Sequence, residues 1–337
     1  GSVMRWLLWI ILLVTVVWCA WWAIFGFGMK TALDTWFEDR RVDGWQADYA
    51  SLNLRGFPAR VDADMTDIVL ADTDGGVVIN LPALQIGAPT YWPGDLTLVL
   101  PSDPISFVTA EGSSSLEFAQ GAADLKLHPG SALELEQIAA LTGPWSLNTN
   151  EQTVLSADNL RLTMDQNQTT PARYKIDAEA TNLRPGDTPR AALRLPDDWP
   201  LTFDSFTLDA DIIFDKPWDI SAVEAARPQP RQIKLKLAEA VWADLRLFFA
   251  ADLEVDTTGT PTGTLNIQAE NWQVMLDLAE RSGALSSNLR QQAESGLSTL
   301  ARFSGDPNAL DIQLNLRGGM MLIGFIPIGP APKIVLR

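Results

Sequence analysis

Few residues in this 337-residue chain are of a type and spacing that could do chemistry. His128 is the one histidine. A Ser-His-Asp triad would have to be built on it, yet no Gly-x-Ser-x-Gly elbow occurs, and its neighbour Pro129 marks a loop. Zinc requires several His or Cys ligands, and the lone cysteine, Cys19, lies in an apolar run. Asp72-x-Asp74-Gly75 is a fragment of a calcium-loop pattern without the later ligands or the closing glutamate, and reads as a hairpin turn. Asp209/Asp211 and Asp252/Glu254/Asp256 alternate with apolar residues, which puts them on the solvated face of half-buried strands. A glycosidase dyad would need partners from distant strands. No glycine-rich phosphate loop precedes a helix, and Asn167-Gln168-Thr169 reads as a surface loop. No catalytic, cofactor-binding or metal-binding residue is assigned, and the chain is not expected to be an enzyme.

The elements around these residues carry more information. From Trp6 to Met29 there is no charge. At about 1.5 Å per residue such a helix spans the roughly 30 Å hydrocarbon core of a bilayer. A cleaved signal peptide has a shorter apolar region and a small-x-small cleavage site, for which Gly26-Phe27-Gly28 is a poor match. Trp6, Trp9, Trp18, Trp21 and Trp22 gather toward the two ends of the run, and with Phe25 and Phe27 they are the expected membrane-anchor residues. The expected arrangement is a cytoplasmic tail and transmembrane anchor over residues 1–30. A periplasmic body over 31–337 follows, with a possible break at the prolines near 185–200. The expected location is therefore the inner membrane, single-pass, with the N-terminus cytoplasmic.

The chain carries 25 Lys+Arg against 42 Asp+Glu; without Arg5 and Lys30, the body has 23 basic residues against 42 acidic. That excludes nucleic acid as a partner and flat docking on anionic headgroups, since both need basic patches. A body without cysteine has no disulfide.

Period-two alternation dominates this body. It runs through 206–214, 247–255 and 310–316, with shorter stretches at 77–81, 96–100, 125–127, 160–164, 176–180, 233–237 and 265–269. Turn signals such as Pro129-Gly130 and Asp256-Thr257-Thr258-Gly259 separate the runs. Helical spacing appears after Asn271, ending at Gly283, and again from Leu289 to Phe303 after Ser286 or Ser287. A short helix over Trp36–Trp45 is expected to continue from the anchor. Trp92, Trp145, Trp199, Trp218, Trp242 and Trp272 fall near strand ends or turns, where core or sheet-edge packing is expected, with a sugar- or lipid-facing platform for a minority of them.

The expected fold is mainly β: a single N-terminal transmembrane helix, then a long, curled antiparallel β-meander with two short helices near the C-terminus. About a dozen one-sided strands offer more apolar face than two helices can cover, so the sheet must curl into a trough, open barrel or sandwich. A trough would accept an acyl chain, whereas a closed sandwich would not.

Gly56-Phe57-Pro58 followed by Arg60-Val61-Asp62, the strand start Ala157-Asp158-Asn159-Leu160-Arg161-Leu162, its neighbour Ala243-Asp244-Leu245-Arg246-Leu247, and the ending Gly324-Phe325-Ile326-Pro327-Ile328-Gly329-Pro330-Ala331-Pro332 resemble the bacterial domain-of-unknown-function family 2125. The resemblance implies one N-terminal membrane segment and a long β-rich domain facing the Gram-negative periplasm; it supplies no catalytic residues. More loosely, the plan is similar to AsmA-type envelope proteins, some of which form long β-troughs implicated in lipid traffic. Two functions are expected from the sequence. One is a tethered binding module holding a lipid or other apolar ligand. The other is an envelope scaffold with a closed core that docks on a membrane-protein partner. The inner-membrane bilayer is a partner in both.

Overall fold

A computed structural model describes the chain except for residues 73–75, 93, 111, 193–201, 204, 243, 282, 284, 304 and 337. Helix α1 runs without interruption over Ser2–Val42. The first strands are β1 (Gln46–Asp48), β2 (Ser51–Arg55), β3 (Arg60–Asp72), β4 (Val77–Pro89), β5 (Asp95–Val99), β6 (Ile105–Thr109) and β7 (Gly112–Phe118). Next come β8 (Gly121–Leu127), β9 (Leu135–Thr142), β10 (Trp145–Thr149), β11 (Gln152–Ala157), β12 (Asn159–Gln166), β13 (Arg173–Thr181), β14 (Arg184–Pro185) and α2 (Asp187–Ala192). Then follow β15 (Ser205–Phe214), α3 (Ser221–Glu224), β16 (Pro230–Trp242), β17 (Leu245–Val255) and β18 (Pro261–Glu270). The chain ends with α4 (Gln273–Arg281), α5 (Ser287–Phe303), β19 (Ala309–Arg317), β20 (Met320–Ile323) and β21 (Ile326–Pro330).

All pairings between these strands are antiparallel, and the sheet forks at β4. Near its Pro89 end β4 pairs with β5, and the sheet continues through β8, β9, β12, β13, β15, β16, β17, β18, β19, β20 and β21. Near its Val77 end β4 pairs with β6, which leads through β7, β10 and β11 to β14. Residues 193–200 of the proline-marked stretch lie outside the described residues; on either side of it β13 and β15 pair directly.

Each run of alternation read from the sequence falls within a strand or ends one residue beyond it. The β-rich fold with one long apolar helix and two C-terminal helices is the architecture observed. The helix expected over Trp36–Trp45 is the last part of α1 and stops earlier, at Val42, because Gly44 takes a φ of +92° and turns the chain. Leu33, Trp36, Phe37 and Arg40 recur at helical spacing there. Leu33, Trp36 and Phe37 join Ala47, Met65, Ile68 and Leu81 in a core cluster. Burying Phe37 and Met65 is worth roughly 1.5–3 kcal/mol each.

Asn271, after which the helical spacing begins, does not cap α4: it has a φ of +59° and donates its side-chain amide to the Asp244 carbonyl. It serves the turn rather than the helix. Ser286 does cap α5, accepting from the Leu289 amide at 3.4 Å, and α4 ends just before Gly283, whose φ is +82°.

The molecule exposes 19542 Å². A folded monomer of 36.9 kDa should expose about 13,600 Å². The bare first part of α1, whose large side chains from Val3 to Val17 are more than half exposed, supplies part of that excess. The rest belongs to the body, an open sheet rather than a closed sandwich.

Candidate functional site

Strand register turns the separate alternations into one feature. Across β4, β5, β8, β9, β12, β13, β15, β16, β17, β18 and β19 the directly opposed residues are Ile86, Leu98, Ala123, Ala140, Leu162, Ala178, Leu208, Ala238, Phe249, Ile267 and Ile312. Every member of this row is apolar, and every member is half-buried. A second row beside it begins at Leu96, passes through Ile138, Met164 and Leu235, and ends at Leu314. Opposed side chains on one face lie within about 5.5 Å of each other, so the rows make a continuous apolar stripe across the strands. Ten strand spacings of about 4.8 Å give it a length of about 48 Å.

The rims of this face are covered and its middle is not. At one end α1 lies over β3 and β4. The excursion between β15 and β16 brings Trp218 onto Leu127, Leu135, Tyr174 and Phe214. The same excursion carries α3 to the end of α1, where Arg40 donates to the Glu224 carbonyl. Helices α4 and α5 pack on Leu247, Ala269 and Leu310, and the C-terminal tail lays Ala331 and Ile334 over Leu253, Leu314 and Leu316. Between these covers the stripe stays half-exposed on an open sheet.

One buried polar group fixes the rim of this face. Tyr174 is fully buried, donates its hydroxyl to the Leu135 carbonyl at 2.8 Å and accepts from the Trp218 amide at 3.2 Å. Burial pushes its phenol up to about 12.

The opposite face is polar. Arg173 and Asp211 form a bidentate pair at 2.8 and 2.7 Å, and that hydrogen-bonded guanidinium holds the Asp211 carboxyl below the usual range. Asp177 and Asp209 stand directly opposite each other across β13 and β15, beside a cavity of about 220 Å³ lined also by Arg161, Thr163 and Glu179. Like charges so placed cost stability. Among the described residues no group of three or more His, Cys, Asp or Glu is placed to hold a metal ion. His128 follows β8 in a loop, with Nε2 2.5 Å from Gln166 Oε1. Asp252 and Glu254 lie on β17 facing away from the stripe, Asp256 accepts from Thr258 and Thr260 in the turn beyond, and Asp74 and Gly75 lie outside the described residues.

The tryptophans expected to anchor α1 divide into two sets. Trp6 and Trp9 stand on bare helix, 72% and 69% exposed. Trp18, Trp21 and Trp22 instead donate their indole N–H groups, each at 2.6 Å, to the carbonyls of Pro58, Thr90 and Arg60. Phe25 stacks on Trp21, and Phe27 faces outward. Gly26 is buried against Leu54 and Val61, so its missing side chain lets the helix approach the sheet closely. This docking was not legible in the sequence, because the three acceptors are backbone carbonyls. Trp92 is exposed in the turn after β4, beside Tyr91, whereas Trp242 and Trp272 are buried; Trp199 lies outside the described residues.

Helix α1 is long and apolar enough to cross a membrane. Neither the curated proteins nor the solved structures compared contain a match to the chain. The profile of a bacterial family described as "Uncharacterized protein conserved in bacteria (DUF2125)" matches residues 22–332, from the docked part of α1 to the C-terminal tail. The chain belongs to that family.

Proposed function

We propose that the protein is an inner-membrane-anchored binding module, its body in the periplasm, which holds an acyl chain or another elongated apolar ligand in a groove along this stripe. The half-buried row from Ile86 to Ile312 carries this reading. A scaffold with a closed core would bury that row fully. Here the row stays half-covered along about 48 Å, longer than an acyl chain of ordinary lipid length. Exposed apolar patches beyond a few hundred Å² mark binding surfaces on soluble bodies. Each methylene removed from water contributes roughly 0.8 kcal/mol, so a chain of ordinary lipid length binds well without a polar contact. The acidic body leaves this apolar term as the main attraction.

Native mass spectrometry of the full chain, released in mild detergent, tests the reading. The wild-type chain should retain lipid, and Ala178→Trp, which fills the groove between Leu162 and Leu208, should lose it. A bare wild-type protein that instead carries a membrane-protein partner would favour the scaffold function.

A further inference from the structure

Two turns of the body meet the helix at Trp18–Trp22. The β2–β3 turn contains Gly56, Phe57, Pro58 and Ala59; the turn after β4 contains Thr90, Tyr91 and Trp92. They are knitted together by Thr90, which is fully buried: its amide donates to the Ala59 carbonyl at 2.9 Å and its hydroxyl to the Pro58 carbonyl at 3.0 Å. Phe57 packs edge-on to Trp22, with ring centroids 5.6 Å apart. The outer surface of this tip is nevertheless bare: Phe57 is 52% exposed, Tyr91 75% and Trp92 41%.

Helix length decides what covers it. Arg5 marks one edge of the apolar run, and the body first touches the helix at Trp18. The twelve residues Trp6–Val17 rise only about 18 Å, against roughly 30 Å of hydrocarbon. The remaining 12 Å or so requires about eight more residues, which places the far boundary near Phe25. The helix supports this independently. Opposite the docked tryptophans, Ile24 and Phe27 are 65% and 68% exposed, and the next charge is Lys30. A helix docked on one side and apolar on the other at the same level suits a bilayer, not water.

We propose that the tip is inserted into the headgroup and upper acyl region of the periplasmic leaflet. Phe57, Tyr91 and Trp92 there join the docked tryptophans as one interfacial aromatic collar. The membrane is thus held by two parts of the fold, the span and the tip, and the depth of the body is fixed by indole hydrogen bonds rather than by a flexible tether. The proposal rests on the reading of α1 as a membrane span.

The test uses the full chain with Cys19→Ser and one new cysteine carrying an environment-sensitive fluorophore, at Tyr91→Cys, Leu12→Cys or Ser113→Cys. Each protein is placed in phosphatidylcholine–phosphatidylglycerol vesicles containing lipid with a nitroxide near the headgroup or deep in the acyl chain. The Leu12 label should be quenched by the deep nitroxide. The Tyr91 label should be quenched by the shallow nitroxide several-fold more than the Ser113 label, and a label at the exposed Ala59 should repeat the Tyr91 result. A Tyr91 label as unquenched as Ser113, with Leu12 quenched, overturns the inserted tip and leaves the span standing. An unquenched Leu12 overturns the span, and the tip proposal with it.

Discussion

The indole of Trp22 donates to the carbonyl of Arg60 at 2.6 Å, joining the apolar helix to the first residue of β3. With Trp18 on Pro58 and Trp21 on Thr90, three neutral hydrogen bonds fix the helix on the sheet before its amphipathic part begins. The helix is therefore a structural part of the body from Trp18 onward.

If so, the double change Trp21→Phe, Trp22→Phe should loosen the hairpin. Each lost hydrogen bond is worth about 1 kcal/mol, so amides near Arg60–Ala63 should exchange at least about tenfold faster. Trp9→Phe, on bare helix, should leave them unchanged. Equal exchange in both variants would show that the indole bonds do not hold the helix.

Legibility varied with the kind of signal. Alternation such as Phe206, Leu208, Ala210 and Ile212 states its strand directly, because one face is apolar and the other polar. Strand β3 carries no single alternation from end to end. Val61, Ala63 and Met65 alternate correctly, but Asp67 takes a φ of +52° and drops out of the pairing with β4, so Ile68 and Leu70 resume in the opposite phase. The stripe was legible only in part. Each strand shows its own apolar face, yet that Leu162 stands opposite Ala178, and Ala178 opposite Leu208, depends on turn lengths and bulges that side-chain type does not encode. The paired acids of β15 and β17 lie on the face away from the apolar stripe; Asp252 and Glu254 are solvated there, as the alternation predicts, whereas Asp209 and Asp211 are half-buried.

Close backbone approach makes a sharp prediction at Gly263. Its φ is +145°, and an added Cβ would lie 2.1 Å from the Asp252 carbonyl oxygen on the neighbouring strand. Gly263→Ala should cost about 2–4 kcal/mol through strain and displaced backbone. Gly28→Ala, which meets nothing within 4 Å, should be neutral. Urea midpoints of the two variants in the same detergent check this; matching midpoints would contradict the register of β17 and β18.

Tyr174 gives the rim a pH dependence of known sign. Its phenol titrates at about 12 in the fold against an ordinary value of 10.0, so the folded state holds the proton more tightly. The stabilisation is complete below the ordinary value and is lost as pH rises from about 10 to about 12. Tyr174→Phe should lower stability by about 1–2 kcal/mol at neutral pH, because it leaves a buried amide and carbonyl unpaired. It should also flatten the alkaline fall. Thermal melts at stepped pH measure both effects, and an unchanged alkaline slope would refute the buried position of the hydroxyl.

The most direct test of the groove places a benzophenone amino acid at Leu162 or Leu208, facing the stripe, and at Thr163, one residue away on the opposite face. After irradiation of the full chain in native membranes, intact-mass analysis should find lipid adducts at Leu162 and Leu208 and none at Thr163. Adducts equal on both faces, or absent from the groove positions, would contradict a lipid-holding sheet.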